Sequence, residues 1–292
     1  MKTKKGVPVL YILPALLFVA VFMYVPIIMN FYYSTFEMSA FSSNNQFVGL
    51  QNYKTLFAYD VFYSALKDNI WFALISVIVQ CFFGTALAIL LESRSAGKAG
   101  TLYRTIYFIP AVMSVSAVGM LWSFIYEPTI GLLNSLLRTA GLGNLASAWL
   151  GQGSTAIGSV IIMSQWQYVG YITILMVVAI QKIPADLYEA SAIDGANALQ
   201  RAIYITVPQV RDTLLVSIVV TVIGAFKVFT EVYTTTLGGP GQASHVLGTF
   251  LYNQGFINQK MGYASAIGSI TFVITFILAL VQIRLGEGKE KT

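Results

Sequence analysis

Lys227 and Glu231 stand four residues apart in GAFKVFTEVY, inside a run that is otherwise apolar. Ionisable side chains in such a setting are costly and point first to function. On one helix the two would lie one turn apart. That suits an acid–base pair, a cavity-facing pair that binds or gates a polar solute, or a mutually neutralising pair buried against a partner chain. A second group, Ser164, Tyr168 and Tyr171 in SQWQYVGYITIL, follows the spacing i, i+4, i+7 and so shares a helical face. Hydroxyls and aromatic faces are what hydrogen-bonding to and stacking on a sugar require. Helix–helix packing by aromatic residues would use the same side chains.

Other chemistry is poorly provided for. His245 is the single histidine and falls in a loop, which leaves a metal site without ligands. Gly238-Gly239-Pro240 lacks the Lys-Ser/Thr of a phosphate cradle and reads as a turn. Cys81, alone in an apolar run, gives no disulfide, thiolate cluster or redox pair. No paired carboxylates suited to glycoside chemistry occur in the apolar runs, and no residue set in the chain could hydrolyse ATP. The reading is a chain that is not an enzyme, with no catalytic residues, metal or cofactor of its own.

The elements that must position these residues follow from composition. Of 292 residues, 57% are hydrophobic and 10% charged, against roughly 25% charged in a soluble domain. Mean hydropathy is +0.72. A membrane-spanning helix needs about 20 mostly apolar residues. Six segments qualify, at Val9–Tyr32, Asn69–Leu91, Ile106–Tyr126, Thr155–Ile180, Leu214–Thr236 and Tyr263–Ile283. The first is too long for a signal peptide and shows no small-residue cleavage site before the polar turn at Ser42–Gln46, so it reads as a retained span kinked at Pro14 and Pro26. The expected fold is an all-α integral membrane protein of one domain, residues 1–292, without internal repeats or soluble modules.

Loop charges orient the spans. With the N-terminus inside, that side holds Lys2, Lys4, Lys5, Arg94, Lys98, Arg104, Lys182, Arg201, Arg211, Arg284, Lys289 and Lys291. The other side holds Lys54, Lys67, Arg138 and Lys260. Both termini are therefore expected in the cytoplasm, and the net charge of +5 is a topology signal that implies no nucleic-acid partner.

The inner loop at 182–212 is the odd one, too long for a connection and too short for a domain. Pro184 suits a helix start, and Asp186 and Glu189 favour its N-terminal half. Asp194-Gly195 supplies a turn, 196–204 a second short helix, and Pro208 opens the fifth span. The product is a cytoplasmic helix-turn-helix elbow between helices four and five, with small side chains at Ala190, Ser191, Ala192, Gly195 and Ala196 on its surface. An amphipathic loop lying at the membrane interface is the simpler alternative, though few charges and little apolar stripe support it.

This elbow resembles the EAA loop of permease subunits in bacterial ABC importers. That pattern is Glu-Ala-Ala, three residues, Gly, nine residues, Ile, one residue, Leu-Pro. Here it reads Glu189-Ala190-Ser191, Gly195, Ile205 and Val207-Pro208, departing mildly at Ser191 and Val207. YEASAIDGAN, TTTLGGPGQASHVL and GYASAIG look like the carbohydrate-uptake branch, of the maltose and glycerol-3-phosphate type, and the resemblance covers essentially the whole chain. It implies a coupling helix that docks on a cytoplasmic ATPase dimer, with Glu189 as polar anchor, Gly195 shaping the turn, Asp194 capping or bracing it, and Pro208 as hinge. It also implies a second, different permease, an extracellular or periplasmic solute-binding protein, and a bacterial cytoplasmic (inner) membrane. ATP and magnesium would be held by the ATPase. By alignment on the EAA loop, Ser164, Tyr168, Tyr171 and Thr221 fall where the maltose permease contacts its sugar. The side chains differ, so maltose itself is not implied.

The function expected is an alternating-access pathway for a sugar or oligosaccharide. A non-sugar polar solute, such as a glycerophosphodiester or a modified amino acid, would use the same architecture. An intramembrane enzyme would need Lys227 and Glu231 as acid and base. An ion-coupled carrier would favour internal repeats and broken helices, and would leave the elbow unexplained.

Overall fold

A computed structural model of the chain describes residues 7–39, 45–92 and 99–287. Lys2, Lys4, Lys5, Arg94, Lys98, Lys289, Lys291 and part of the turn at 42–46 lie outside the described residues.

The first span is α1 (Val7–Val19) and α2 (Val25–Tyr33), joined by a π-helical stretch at Ala20–Tyr24. Pro14 sits inside α1, and Pro26 in the first turn of α2, directly after the wide turn. The extra residue of a π turn absorbs the donor that proline lacks, so the two helices run on as one span. Its apolar side chains, Leu16, Phe18 and Phe22 among them, are exposed. A short hairpin follows, β1 (Phe36–Glu37) pairing antiparallel with β2 (Gln46–Phe47), then α3 (Gln51–Phe57).

The second span is longer than its apolar core suggested. It runs from α4 (Asp60–Ser76) through a π stretch at Val77–Phe83 into α5 (Gly84–Glu92). The third is not one helix. α6 (Ala99–Val112) and α7 (Val115–Ile125) meet at a 99° bend, because Ser114 is extended (ψ 133°). After α8 (Leu132–Thr139), the fourth span is the unbroken α9 (Ala156–Ile180). The elbow comprises α10 (Ala185–Ile193), α11 (Ala198–Arg201), a π stretch at Ala202–Thr206 and α12 (Val207–Gln209).

The fifth span is also broken. α13 (Arg211–Phe226) leaves the elbow at a 70° bend and stops before Lys227, and α14 (Thr230–Thr235) restarts after Phe229 (φ −144°, ψ −59°). α15 (Leu247–Tyr252) precedes the last span, α16 (Met261–Glu287). Among the described residues, four helices are long and apolar enough to cross a membrane, and six spans result if each bent pair counts as one.

Broken helices at membrane depth are tolerated when other groups take up the freed backbone. Two side chains do so here. Asn69 donates to the Ala225 carbonyl at 2.7 Å, in the last turn of α13, and accepts from the Leu247 amide at 2.8 Å. Gln167 on α9 donates to the Met113 carbonyl at 3.2 Å, where α6 ends.

By its contacts the chain divides into two compact units. One holds the described residues of 1–62 and 250–273, the other those of 63–249 and 274–287. In the first, Asn30 donates to Ser269 Oγ at 2.9 Å, and Phe31 meets Phe272 edge-on. In the second, α9 is the central post. Ile172, Met176, Val177 and Ile180 pack with Ala88 of α5 and with Val210, the residue at the bend between elbow and α13.

Candidate functional site: a membrane cavity and a helical elbow

Five of the six residues expected along a solute path converge on one cavity. Ser164, Tyr168 and Tyr171 of α9, Thr221 of α13 and Glu231 of α14 line a space of about 460 Å³ within the second unit. The i, i+4, i+7 spacing puts the three α9 residues on one side, and the bend after Lys227 swings Glu231 towards them. Tyr168 donates its hydroxyl to Glu231 Oε1 at 3.1 Å.

Lys227 is the exception. It caps α13, is exposed, and does not line the cavity. The expected pairing of Lys227 with Glu231 required one continuous helix, and the chain is non-helical between them. Among the described residues, the ion pair seen is Arg104 with Glu92. The acid–base pair and the neutralising pair both fall with that helix.

Two cavity residues were missed. Gln80 and Ser76 line the same space. Gln80 lies in the π stretch of the second span, where the wide turn leaves both it and its neighbour Cys81 buried. Its Nε2 donates to Gln165 Oε1 at 2.9 Å, and Gln165 Nε2 donates to Ser76 Oγ at 3.2 Å and to the Ile161 carbonyl at 3.0 Å. This relay commits one N–H of the Gln80 carboxamide and leaves its Oε1 and second N–H to offer a ligand. A lone glutamine in an apolar span was the legible signal, since polar groups there carry the same warning as charges.

The elbow forms much as its sequence demanded. Pro184 is the N-cap of α10, and Gly195 takes φ +78°, a left-handed conformation that glycine adopts without steric cost. The Ala196 amide closes the turn on the Ser191 carbonyl at 2.9 Å. Asp194 caps α10 through its backbone, its amide donating to the Ala190 carbonyl at 3.0 Å. Its carboxylate makes no hydrogen bond seen among the described residues, so the side-chain brace lies elsewhere. It is a capping box, in which Asn197 Oδ1 accepts from the Gln200 amide at 2.9 Å and Gln200 Oε1 from the Asn197 amide at 2.8 Å. The pattern Asn-x-x-Gln was readable at 197–200.

Glu189, Ala190, Asp194, Gly195 and Pro208 are exposed, and Ile205 is half-buried. Ser191 is not on the surface as expected. It is buried, with its hydroxyl donating to the Tyr188 carbonyl at 2.8 Å. Tyr188 and Thr206 share a hydrogen bond of 2.9 Å that ties α10 to the π stretch. What the elbow does present is Ile193, 87% exposed, with Leu199 and Tyr204. The bend into α13 lies at Val210, two residues beyond Pro208. The proline ring fits the first turn of α12, so the backbone turns at Val210 (φ −96°, ψ 6°).

Known proteins resemble this chain in sequence and in fold. Residues 81–288 match the family described as the binding-protein-dependent transport system inner membrane component. The chain is 48% identical over 288 residues to the probable ABC transporter permease protein YurN of Bacillus subtilis, covering 98% of each chain. It is 32% identical over 278 residues to the trehalose/maltose transport system permease protein MalF of Thermococcus litoralis, covering 95% of this chain and 92% of that one. Its fold is that of a solved bacterial ABC transporter involved in the import of the acidic polysaccharide alginate, with TM-score 0.83, 23% identity and 96% of both chains covered. The chain is thus a multi-pass membrane protein that belongs to the inner-membrane permeases of binding-protein-dependent transport systems.

Proposed function

We propose that this chain is one of two different permease subunits of an ATP-driven importer for a neutral sugar or oligosaccharide. The observation that carries this is the cavity: Ser164, Tyr168, Tyr171, Thr221 and Gln80 offer hydroxyls, phenol rings and an amide, the groups that bind polyols. The relative that transports trehalose and maltose supports the same cargo class.

The chain's own work is conformational. A cytoplasmic ATPase dimer, which holds the ATP and magnesium, grips the elbow by Ile193 and Glu189 and moves it as a rigid body. The movement passes through Val210 into α13 and α9, whose side chains line the cavity. A solute-binding protein delivers cargo from outside. In this arrangement both termini face the cytoplasm of a bacterial cell.

One observation favours a second cargo. Glu231 is buried beside Tyr168 without a cationic partner among the described residues, so a solute bearing an amine would also be held. Uptake of radiolabelled mono-, di- and oligosaccharides and of amino-acid derivatives, compared between wild type and Glu189→Ala with membrane levels matched, tests both. Loss of one sugar's uptake supports the proposal. Loss of an amine's uptake alone replaces the cargo.

A further inference from the structure

A second concavity, of about 930 Å³, lies wholly within the unit of residues 1–62 and 250–273 and shares no residue with the membrane cavity. Its walls are rich in carboxamides, from Gln46 on β2, Gln51 on α3, and Gln254 and Asn258 after α15. Tyr59 and Tyr263 add phenol rings, while Glu37 and Lys260 bring one charge of each sign.

Carboxamides donate and accept at once, which matches the alternating donors and acceptors of a polyol. A strongly charged ligand would meet its own sign at one wall. Small-ligand sites are concave and of this size, whereas protein interfaces are broad surfaces.

The walls are held by the chain itself. The Met261 amide donates to the Met38 carbonyl at 3.0 Å, and the Lys260 amide to the Gln254 carbonyl at 2.8 Å. Asn52 Nδ2 donates to the Ser34 and Phe36 carbonyls, both at 2.9 Å. Tyr59 stacks on Phe250 with ring centroids 6.0 Å apart. A cleft so braced needs little ordering to bind.

We propose that this cleft is a second carbohydrate site, which takes a short neutral oligosaccharide by hydrogen bonds to Gln46, Gln51 and Asn258 and by stacking on Tyr59. It rests on the carbohydrate reading above. On the orientation proposed there it faces outward.

The test uses the full-length chain with its partner subunits in nanodiscs, without ATP or solute-binding protein. Maltotriose, cellotriose and raffinose are titrated by saturation-transfer NMR, with thermal unfolding checked for every variant. In the Thr221→Val background, which removes a hydroxyl from the membrane cavity, at least one sugar is expected still to bind. It is expected to bind roughly tenfold more weakly once Gln51→Leu/Tyr59→Ala is added, the loss of one stacked ring and one hydrogen bond. Tyr59→Phe, which keeps the ring, is expected to stay near wild type. Gln46→Leu repeats the comparison if the double variant assembles poorly.

Binding lost in Thr221→Val but kept in the cleft variants overturns the proposal, and so does no binding of any sugar. Weakened capture of the solute-binding protein by the cleft variants, with sugar binding unchanged, assigns the cleft to a protein contact instead. Uptake measured in parallel separates the two levels. Sugar uptake without a cleft signal removes only this site, whereas amine uptake without sugar uptake removes the carbohydrate reading itself.

Discussion

Tyr168 and Glu231, 63 residues apart in the chain, are joined by a hydrogen bond of 3.1 Å across the membrane cavity. The carboxylate therefore takes its partner from α9 and not from Lys227. Tyr168→Phe deletes the donor, and a hydrogen bond to a charged group contributes about 1.5–3 kcal/mol. Initial uptake is expected to fall roughly tenfold or more. Lys227→Ala, exposed and off the cavity, is expected to leave it within about twofold. Equal losses in the two variants would return Lys227 to the site.

The amide relay sets a second test. Gln165→Leu removes the acceptor of the Gln80 amine and a donor to Ser76. Leaving buried partners unmade costs about 1–3 kcal/mol. A lowered melting temperature and an altered ranking of substrates in the uptake panel are expected, because the Gln80 carboxamide then loses the partner that fixes its orientation. An unchanged ranking would make the relay purely structural.

Asn69 serves two backbone groups at once. Asn69→Leu exposes a carbonyl and an amide with no water to replace it, and is expected to destabilise by about 2–6 kcal/mol, twice the cost of one unmade bond. Thermal unfolding in detergent measures it. Asn69→Asp, which would set a carboxylate against the Ala225 carbonyl in a fully buried position, is also expected to destabilise.

In the elbow, Asn197→Ala removes the cap and is expected to cost about 1 kcal/mol. The predicted consequence is looser coupling: ATP hydrolysis by the assembled transporter continues while uptake per ATP falls. Gly195→Val, which forces a branched side chain into φ +78°, is expected to do more. Unchanged uptake per ATP in both would place the grip elsewhere.

Two loop groups give a pH dependence. His245 is buried, with Nδ1 3.1 Å from Thr249 Oγ1, and burial pulls its pKa below 6.5. The unfolded loop then binds the proton first, so the stability it contributes is complete above the unfolded value and is lost as pH falls through the folded one. Glu127 is exposed, and backbone and side-chain donors from Ile130 and Thr129 hold its pKa below 4.5. Its contribution is lost in a lower window, as pH falls below that value. Hydrogen-exchange protection, referenced to intrinsic exchange at each pH, is expected to fall first at 237–246 and only later at 127–131. The reverse order, or a flat profile from about pH 8 to about pH 3, would contradict both.

What could be read from the sequence, and what could not, has a common cause. The fourth span was legible because its apolar run is unbroken and its polar side chains recur on one face. So was the turn at Gly195, where a local rule decides a local conformation. The breaks in the third and fifth spans were not legible. Each depends on a distant side chain, Gln167 or Asn69, and Asn69 is 156 residues from the carbonyl it serves. A periodicity argument sees neither, so it drew Lys227 and Glu231 onto one helix. The burial of Ser191 escaped for the same reason, since Tyr188 turns towards Thr206 rather than to solvent.

Gly170 of α9 lies where a β-carbon would coincide with the Tyr107 carbonyl of α6, so the two backbones touch with nothing between them. Contact of that kind leaves no side chain to slide or re-pack, and it couples α6 to the central post as a weld couples two girders. These two helices are therefore expected to travel together in any stroke the transporter makes. A side chain at position 170 would have to push α6 away from α9, and the expected cost falls on the pair rather than on either helix alone.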